Sequence, residues 1–247
     1  MIEEHRITEL DSGVRVVTER MPTVRSVALG FWIGTGSAGE AEPEAGLSHL
    51  IEHMLFRGTA RFESVEIDQI FDGMGAELNA GTGKETTSVY SRVLDVHLER
   101  ALDVMADMVW RPRFAQDDLD NEREIVLEEI AMYEDDPQDK VFDVLGEAVF
   151  GDHPLGRPVI GRADVIANVP VPEIAAYHDE RYTGENLVIP RRAGRADPGR
   201  RGFTRQPAAA AAGHRAARRA RAPHPLHPQG HRAVPPVPRR AGHPARR

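Results

Sequence analysis

The amino-acid composition changes abruptly near residue 190, and this break limits where the chain can build a packed core. Residues 191–247 contain 15 arginines, no lysine and a single acidic residue, Asp197. Residues 1–190 instead carry 38 acidic and 16 basic residues. A segment with so few large apolar side chains cannot offset its ordering entropy. We therefore predict a folded domain over residues 1–189 and a disordered Arg/Ala/Pro-rich basic tail over residues 190–247.

Three explanations compete for the basic tail. Arginine without lysine, mixed with alanine, proline, glycine and histidine, is the composition that GC-rich DNA encodes in a shifted reading frame. We therefore expect that the tail derives from a frameshift or truncation. A solvated linker is the second explanation. An arm that binds nucleic acid by counterion release is the third, but natural basic arms usually mix lysine with arginine, so nucleic acid is not the expected partner.

The rest of the composition excludes several classes of site and location. The chain has no cysteine, so a disulfide framework, a thiolate metal site and a cysteine nucleophile are all excluded. Any metal must be held by histidine and carboxylate. No apolar run approaches the roughly 18 residues that would cross a membrane. The start "MIEEHRITELDSG" lacks the apolar region of a secretory signal. We expect a cytoplasmic bacterial protein without a membrane partner.

The patterns before the break predict both strands and helices. "GVRVVTER", "SVALGFWIGTG" and "ENLVI" are typical of strands, and "AELNAGTGKETTSVYSRV" predicts two strands joined by a glycine-containing turn. Apolar residues at helical spacing predict helices from about Glu44 to Phe56, from about Asp117 to Tyr133, and in four further segments. Strands and helices occur in clusters, which predicts an α+β fold with a largely antiparallel sheet flanked by helices.

The segment "GLSHLIEHMLFRGT" carries two histidines four positions apart, with a glutamate directly before the second. On a helix, His49 and His53 would share one face and could direct both imidazoles at one ion, with Glu52 beside them. H-x-x-E-H is a zinc signature, because neutral imidazole suits Zn²⁺ and a nearby carboxylate can accept a proton from bound water. The alternative is an amphipathic helix with two half-exposed histidines, and a third ligand would distinguish the two.

The acidic run "DNEREIVLEEIAMYEDD" offers candidates for that third ligand. Glu122 and Glu129 are two helical turns apart and would share a face, whereas Glu124 and Glu128 would lie on flanks that face solvent. An acid-rich helix is most often a solvated surface. The spacing alone therefore leaves the choice among these glutamates open.

These segments together resemble the insulinase/pitrilysin family of zinc metallopeptidases, in particular the bacterial relatives of the mitochondrial processing peptidase. "GLSHLIEHMLFRGT" is similar to the family's active-site helix, and "EREIVLEEI" to the segment that carries its third zinc ligand. "ELNAGTGKETTSVY" resembles the edge strand that pairs with an extended substrate. "HPLGRPVIG" and "YTGENLV" match later segments. The resemblance runs from about residue 3 to residue 189.

The resemblance implies a zinc-dependent metalloendopeptidase that binds one Zn²⁺ per chain. A zinc-activated water would hydrolyse the peptide bond of a peptide or unfolded polypeptide, which would bind as an added strand. The residues implied are the metal ligands His49, His53 and Glu129, the general base Glu52, the supporting carboxylate Glu122, and the substrate-binding Asn79 and Ala80.

One departure from the family pattern concerns completeness. Family enzymes have two similar halves that enclose a chamber, and the second half supplies Arg and Tyr groups that stabilise the transition state. The segments matched here belong to the first half, and losing one oxyanion-stabilising donor typically costs ~10²–10³ in rate. We therefore expect zinc binding with weak or no activity, unless a second half-domain or a homo- or hetero-dimer partner completes the site. A non-catalytic subunit of a family complex is the alternative function.

Overall fold

The computed structural model describes residues 5–193 of the chain. The predicted tail lies outside this range from residue 194 onwards. Six strands and seven α-helices occur in the described range: β1 (His5–Glu9), β2 (Arg15–Arg20), β3 (Ser26–Ile33), α1 (Leu47–Met54), α2 (Ser64–Gly73), β4 (Glu77–Thr82), β5 (Thr87–Leu94), α3 (Leu98–Trp110), α4 (Gln116–Asp135), α5 (Pro137–Phe150), α6 (Ala163–Asn168), α7 (Val171–Arg181) and β6 (Leu187–Ala193).

The six strands form a single sheet in the order β1-β2-β6-β3-β5-β4. Only the β2–β6 pairing is parallel among the described strands, and the other four pairings are antiparallel. Within the described residues β1 and β4 are the two edges of the sheet. The prediction of an α+β fold with a largely antiparallel sheet flanked by helices is confirmed.

One face of the sheet carries the hydrophobic core. In β3, Phe31 and Ile33 are fully buried, whereas Trp32 between them is exposed, as the alternation of side chains along a strand requires. Leu50 of α1 and Met105 of α3 are fully buried in the same core cluster. Burying a side chain of this size stabilises the fold by about 1.5–3 kcal/mol, so the core anchors α1 firmly.

The first helix begins later than the sequence pattern predicts. The predicted start at Glu44 is wrong, because a short 3₁₀ turn (Glu42–Glu44) is followed by Gly46 at φ +100°, and α1 begins at Leu47. A side chain at Gly46 would be strained at this φ and would also lie 2.9 Å from the Cα of Gly161. The chain therefore turns sharply just before the H-x-x-E-H segment.

The last strand continues beyond the predicted domain boundary at residue 189. β6 lies between β2 and β3 and pairs with both of them through residues 191–193. Arg192 also forms an ion pair with Glu19 of β2 at 3.1 Å. The domain boundary at residue 189 and the origin of the basic tail over residues 190–247 stay predictions.

None of the helices between residues 5 and 193 combines the length and apolar character that spanning a bilayer requires.

Candidate metal centre

The helix that carries the H-x-x-E-H segment is capped by a buried carboxylate. Glu40, 3% exposed, accepts hydrogen bonds from the backbone N–H groups of Gly46 and Ser48, both at 2.8 Å. These groups belong to the first turn, where no intrahelical acceptor exists and where negative charge is favoured. Burial raises the pKa of Glu40, and the two backbone hydrogen bonds oppose that rise. Glu40 therefore fixes where α1 begins and how it is oriented.

Two donor atoms of α1 and one donor atom of α4 lie close together. The Nε2 atoms of His49 and His53 lie 3.2 Å apart. Oε2 of Glu129, on α4, lies 3.6 Å from His49 Nε2 and 3.7 Å from His53 Nε2. All three side chains are half-buried and meet the spacing expected of a metal-binding group. The structure thus brings together the three residues that the sequence resemblance assigns as ligands.

The separations fit a tetrahedral zinc site. Ligand atoms about 2.0–2.1 Å from Zn²⁺ in tetrahedral geometry are about 3.3 Å from one another, close to the spacing of these three donors. Two imidazoles and one carboxylate are also one of the donor sets of catalytic zinc sites, which leave a fourth position for water. The residues present therefore fit a zinc ion.

Burial keeps the His49 imidazole in its neutral form. Burial, together with the neighbouring charge of His53, lowers the pKa of His49 to about 4. His49 is therefore neutral near pH 7, and a neutral imidazole is the form that binds a metal.

His53 is oriented by a carboxylate on its far side. Its Nδ1 lies 2.9 Å from Oε2 of Glu122, a residue of α4 whose side chain is 2% exposed. A carboxylate can only accept, so Nδ1–H donates and the Nε2 of the neutral ring keeps its lone pair. The hydrogen bond with Glu122 raises the pKa of His53 despite its burial. Carboxylate–histidine pairs of this kind fix the orientation of metal-binding imidazoles.

Glu122 has a second partner, Arg57, which lies just beyond the end of α1. The Arg57 guanidinium forms an ion pair with Oε1 of Glu122. Burial by itself would raise the pKa of Glu122, but the hydrogen bond from His53 and the positive charge of Arg57 outweigh it and lower the pKa. Glu122 is therefore a carboxylate in contact with an imidazole N–H and a guanidinium.

Glu52 lies on the same helix and contacts the sheet edge. The hydroxyl of Thr82, the last residue of β4, donates a hydrogen bond of 2.5 Å to Oε2 of Glu52. Burial raises the pKa of Glu52 even though this hydrogen bond opposes the rise. A carboxylate with a raised pKa is a better proton acceptor than an exposed glutamate. The arrangement can therefore support general-base chemistry beside the ligand cluster.

The predicted substrate-binding residues lie on β4, the edge strand that ends at Thr82. Asn79 is exposed and pairs with Tyr90 of β5, whereas Ala80 is half-buried and pairs with Val89. An edge strand can accept an extended peptide as a further strand. The substrate role of Asn79 and Ala80 stays a prediction.

The structure separates the glutamates of α4 that the sequence left as alternatives. Glu124 and Glu128 are exposed, as their flanking positions predict, while Glu122 and Glu129 face α1. Three supporting contacts were not predicted, those of Glu40 with the helix start, of Arg57 with Glu122, and of Thr82 with Glu52. In each contact the two partners lie on different elements or several residues apart, so local spacing gives little indication of these contacts. The "EHMLFR" spacing, which places a cation one turn after His53, is the one available hint for Arg57.

The fold and the H-x-x-E-H segment are similar to those of the H-x-x-E-H metallopeptidases. Comparison with protein families makes this specific, because the model of "Insulinase (Peptidase family M16)" matches residues 15–163. The chain belongs to this family. It is 47% identical over 182 residues to an uncharacterised zinc protease of Mycobacterium leprae, a match that covers 74% of this chain and 41% of the relative. It is 46% identical over 178 residues to an uncharacterised zinc protease of Bacillus subtilis, a match that covers 72% of this chain and 44% of the relative.

Solved structures support the fold. The crystal structure of a protease from Helicobacter pylori matches with a TM-score of 0.76 at 22% identity, covering 80% of this chain and 48% of that one. This chain spans less than half the length of the curated relatives reported above. The match therefore corresponds to about one half of a longer family architecture, in line with the predicted need for a partner domain.

Proposed function

We propose that this chain carries the zinc-binding half of a metalloendopeptidase, with His49, His53 and Glu129 as ligands and Glu52 as general base. The observation that supports it best is the convergence of two imidazole Nε2 atoms and one carboxylate oxygen within 3.2–3.7 Å. In an amphipathic helix without a metal role, nothing would require both imidazoles to face a carboxylate from another helix.

The chain's own residues supply orientation and proton transfer. A zinc ion bound by these ligands would lower the pKa of a coordinated water to about 7 and would polarise a substrate carbonyl. Glu52 takes the proton from the attacking water and gives it to the nitrogen of the leaving amine. Thr82 holds one carboxylate oxygen of Glu52 during both transfers. Glu122 keeps His53 in the orientation that a ligand needs.

A peptide or an unfolded polypeptide is the substrate class that fits this geometry. β4 is an edge of the described sheet, and its last residue touches the general base. A peptide added beside Asn79 and Ala80 would use backbone hydrogen bonds, which tolerate many side-chain sequences. The scissile bond would then pass close to Glu52.

Efficient turnover depends on groups outside this half. The family resemblance places the Arg and Tyr groups that stabilise the oxyanion in the second half, and losing one such donor costs ~10²–10³ in rate. A second half-domain, in the same polypeptide or in a partner, would supply these groups. We expect slow, zinc-dependent hydrolysis by the chain alone.

The test combines zinc content with turnover of an internally quenched peptide. Wild type is compared with Glu52→Gln, which is nearly isosteric and removes the base without removing a ligand. The expected result is that both proteins bind zinc and that only wild type cleaves the peptide in a chelator-sensitive manner. Zinc binding with equal rates in both proteins would instead favour the non-catalytic subunit and overturn the peptidase proposal.

A further inference from the structure

We propose that Arg57 is a positioning residue of the metal centre: its guanidinium holds the buried Glu122 carboxylate in place, and Glu122 in turn fixes His53 with Nε2 towards the other ligands. This inference rests on the proposed function and adds to it a residue outside the H-x-x-E-H segment. Among the described residues no hydrogen bond or ion pair joins Arg57 to a proposed ligand, so its action passes through Glu122.

The geometry forms a continuous chain of contacts. Oε2 of Glu122 accepts from His53 Nδ1 at 2.9 Å, while Oε1 of the same carboxylate faces the Arg57 guanidinium. The backbone of Arg57 is itself held, because its N–H donates to the Met54 carbonyl at 3.1 Å. Its carbonyl accepts from the side chain of Arg113 at 3.0 Å. The guanidinium therefore starts from a fixed backbone position.

Burial explains why this cation matters more than an ordinary surface partner. The Glu122 side chain is 2% exposed, and a buried carboxylate is costly unless it is paired and fully hydrogen-bonded. His53 satisfies one oxygen through its Nδ1–H group, and in the neutral form that would bind a metal the ring supplies no compensating charge. Arg57, whose side chain is 41% exposed, supplies that charge while keeping part of its hydration. Without it, the acceptor that orients His53 is weakened.

The consequence concerns the tautomer of His53. A firm acceptor at Nδ1 selects the Nδ1–H form, which leaves the lone pair on Nε2. A weakened acceptor lets the Nε2–H form compete, and that form cannot bind a metal through Nε2. Loss of such an outer partner typically lowers metal affinity by about 10–100-fold.

The experiment measures zinc affinity by chelator competition in four proteins: wild type, Arg57→Met, Arg57→Lys and Arg25→Met. Arg25 forms a surface ion pair with Asp95 at 3.1 Å and serves as the matched control. We expect Arg57→Met to weaken zinc binding by about 10–100-fold. Arg57→Lys should restore most of the affinity, because it keeps the charge. Arg25→Met should bind zinc as wild type does.

A second readout separates positioning from a general structural role. ¹⁵N NMR of the zinc-free protein reports the imidazole tautomer of His53. At a pH above the raised pKa of His53, where the ring is neutral, wild type should show the Nδ1–H form and Arg57→Met a mixture of both forms. In a Glu122→Gln background, where the acceptor carries no charge, Arg57→Met should have no further effect on zinc affinity.

The outcomes are distinguishable from failure of the proposed function. Absence of zinc from folded wild type would overturn the metal site itself. Zinc binding that is unchanged in Arg57→Met, with an unchanged His53 tautomer, would overturn only the role of Arg57. Arg57→Gln, which keeps a hydrogen-bond donor but no charge, provides the same comparison if Arg57→Met does not fold.

Discussion

Replacing Glu40 with alanine should destabilise the domain strongly, although Glu40 lies outside the H-x-x-E-H segment. Its buried carboxylate accepts two backbone N–H groups of the first turn of α1, both at 2.8 Å. Alanine offers no acceptor, and both N–H groups would stay buried because Gly46 and Ser48 are themselves buried. The variant therefore leaves two buried donors without partners at the start of the helix that carries the site.

The magnitude follows from these two hydrogen bonds. Each bond to a charged acceptor contributes about 1.5–3 kcal/mol. Part of this gain is offset by the cost of burying the carboxylate, which is why burial raises the pKa of Glu40. A net loss of about 2–4 kcal/mol is expected, which exceeds the usual cost of a lost helix cap. For a domain of this size the loss corresponds to a decrease in Tm of roughly 5–15 °C.

Urea denaturation followed by circular dichroism measures the difference in the free energy of unfolding between wild type and Glu40→Ala directly. Glu40→Gln keeps one oxygen acceptor and should fall between wild type and Glu40→Ala. Glu42→Ala is the matched control, because Glu42 is exposed and its ion pairs with Arg157 and Arg162, at 3.5 and 3.4 Å, lie at the surface. The control should stay within about 0.5 kcal/mol of wild type. A Glu40→Ala protein within about 1 kcal/mol of wild type would refute the capping argument.

Three further variants test other parts of the structure. Glu129→Gln should weaken zinc binding, measured by chelator titration, by more than about 100-fold. Glu128 is exposed, and the control variant Glu128→Gln should leave zinc binding unchanged. Equal effects of the two variants would remove Glu129 from the ligand set. Leu50→Ala, at a fully buried position of α1, should cost about 2–5 kcal/mol in urea denaturation, and a loss below 1 kcal/mol would contradict its place in the core. His178 is buried, and its Nε2–H donates a hydrogen bond to the Val109 carbonyl. Burial lowers the pKa of His178 below the ordinary value of 6.5. Its contribution to stability is therefore present above pH 6.5 and lost as the pH falls, so Tm should decline from pH 7 to pH 5, and His178→Asn should flatten that decline.

The fold class could be predicted because strands and helices cluster along the chain and their periodicity is clear. Two short elements, β1 and α6, could not be predicted from the sequence. β1 is an edge strand of five residues with no buried side chain, and α6 has six residues, so neither carries a periodic signal. The true start of α1 also depends on contacts of Gly46 with Glu40 and Gly161, which no local pattern shows.

The site shows the same division between local spacing and packing. The i, i+4 spacing of His49 and His53 is a property of any helix, so both could be placed on one face from the sequence. Glu122 and Glu129 share a face as well, and spacing alone could not assign their roles. Only the packing of α4 on α1 places Glu129 beside the two Nε2 atoms and Glu122 beside the Nδ1 of His53. The family resemblance is what implies the separate roles of these two glutamates.

The most direct test of the metal centre is the zinc content of the purified, folded chain, measured by mass spectrometry of the metal in wild type and His49→Ala. Wild type should hold close to one zinc per chain, and His49→Ala should hold almost none while keeping its helical circular dichroism spectrum. A folded wild-type protein that binds no zinc when zinc is supplied would contradict the account.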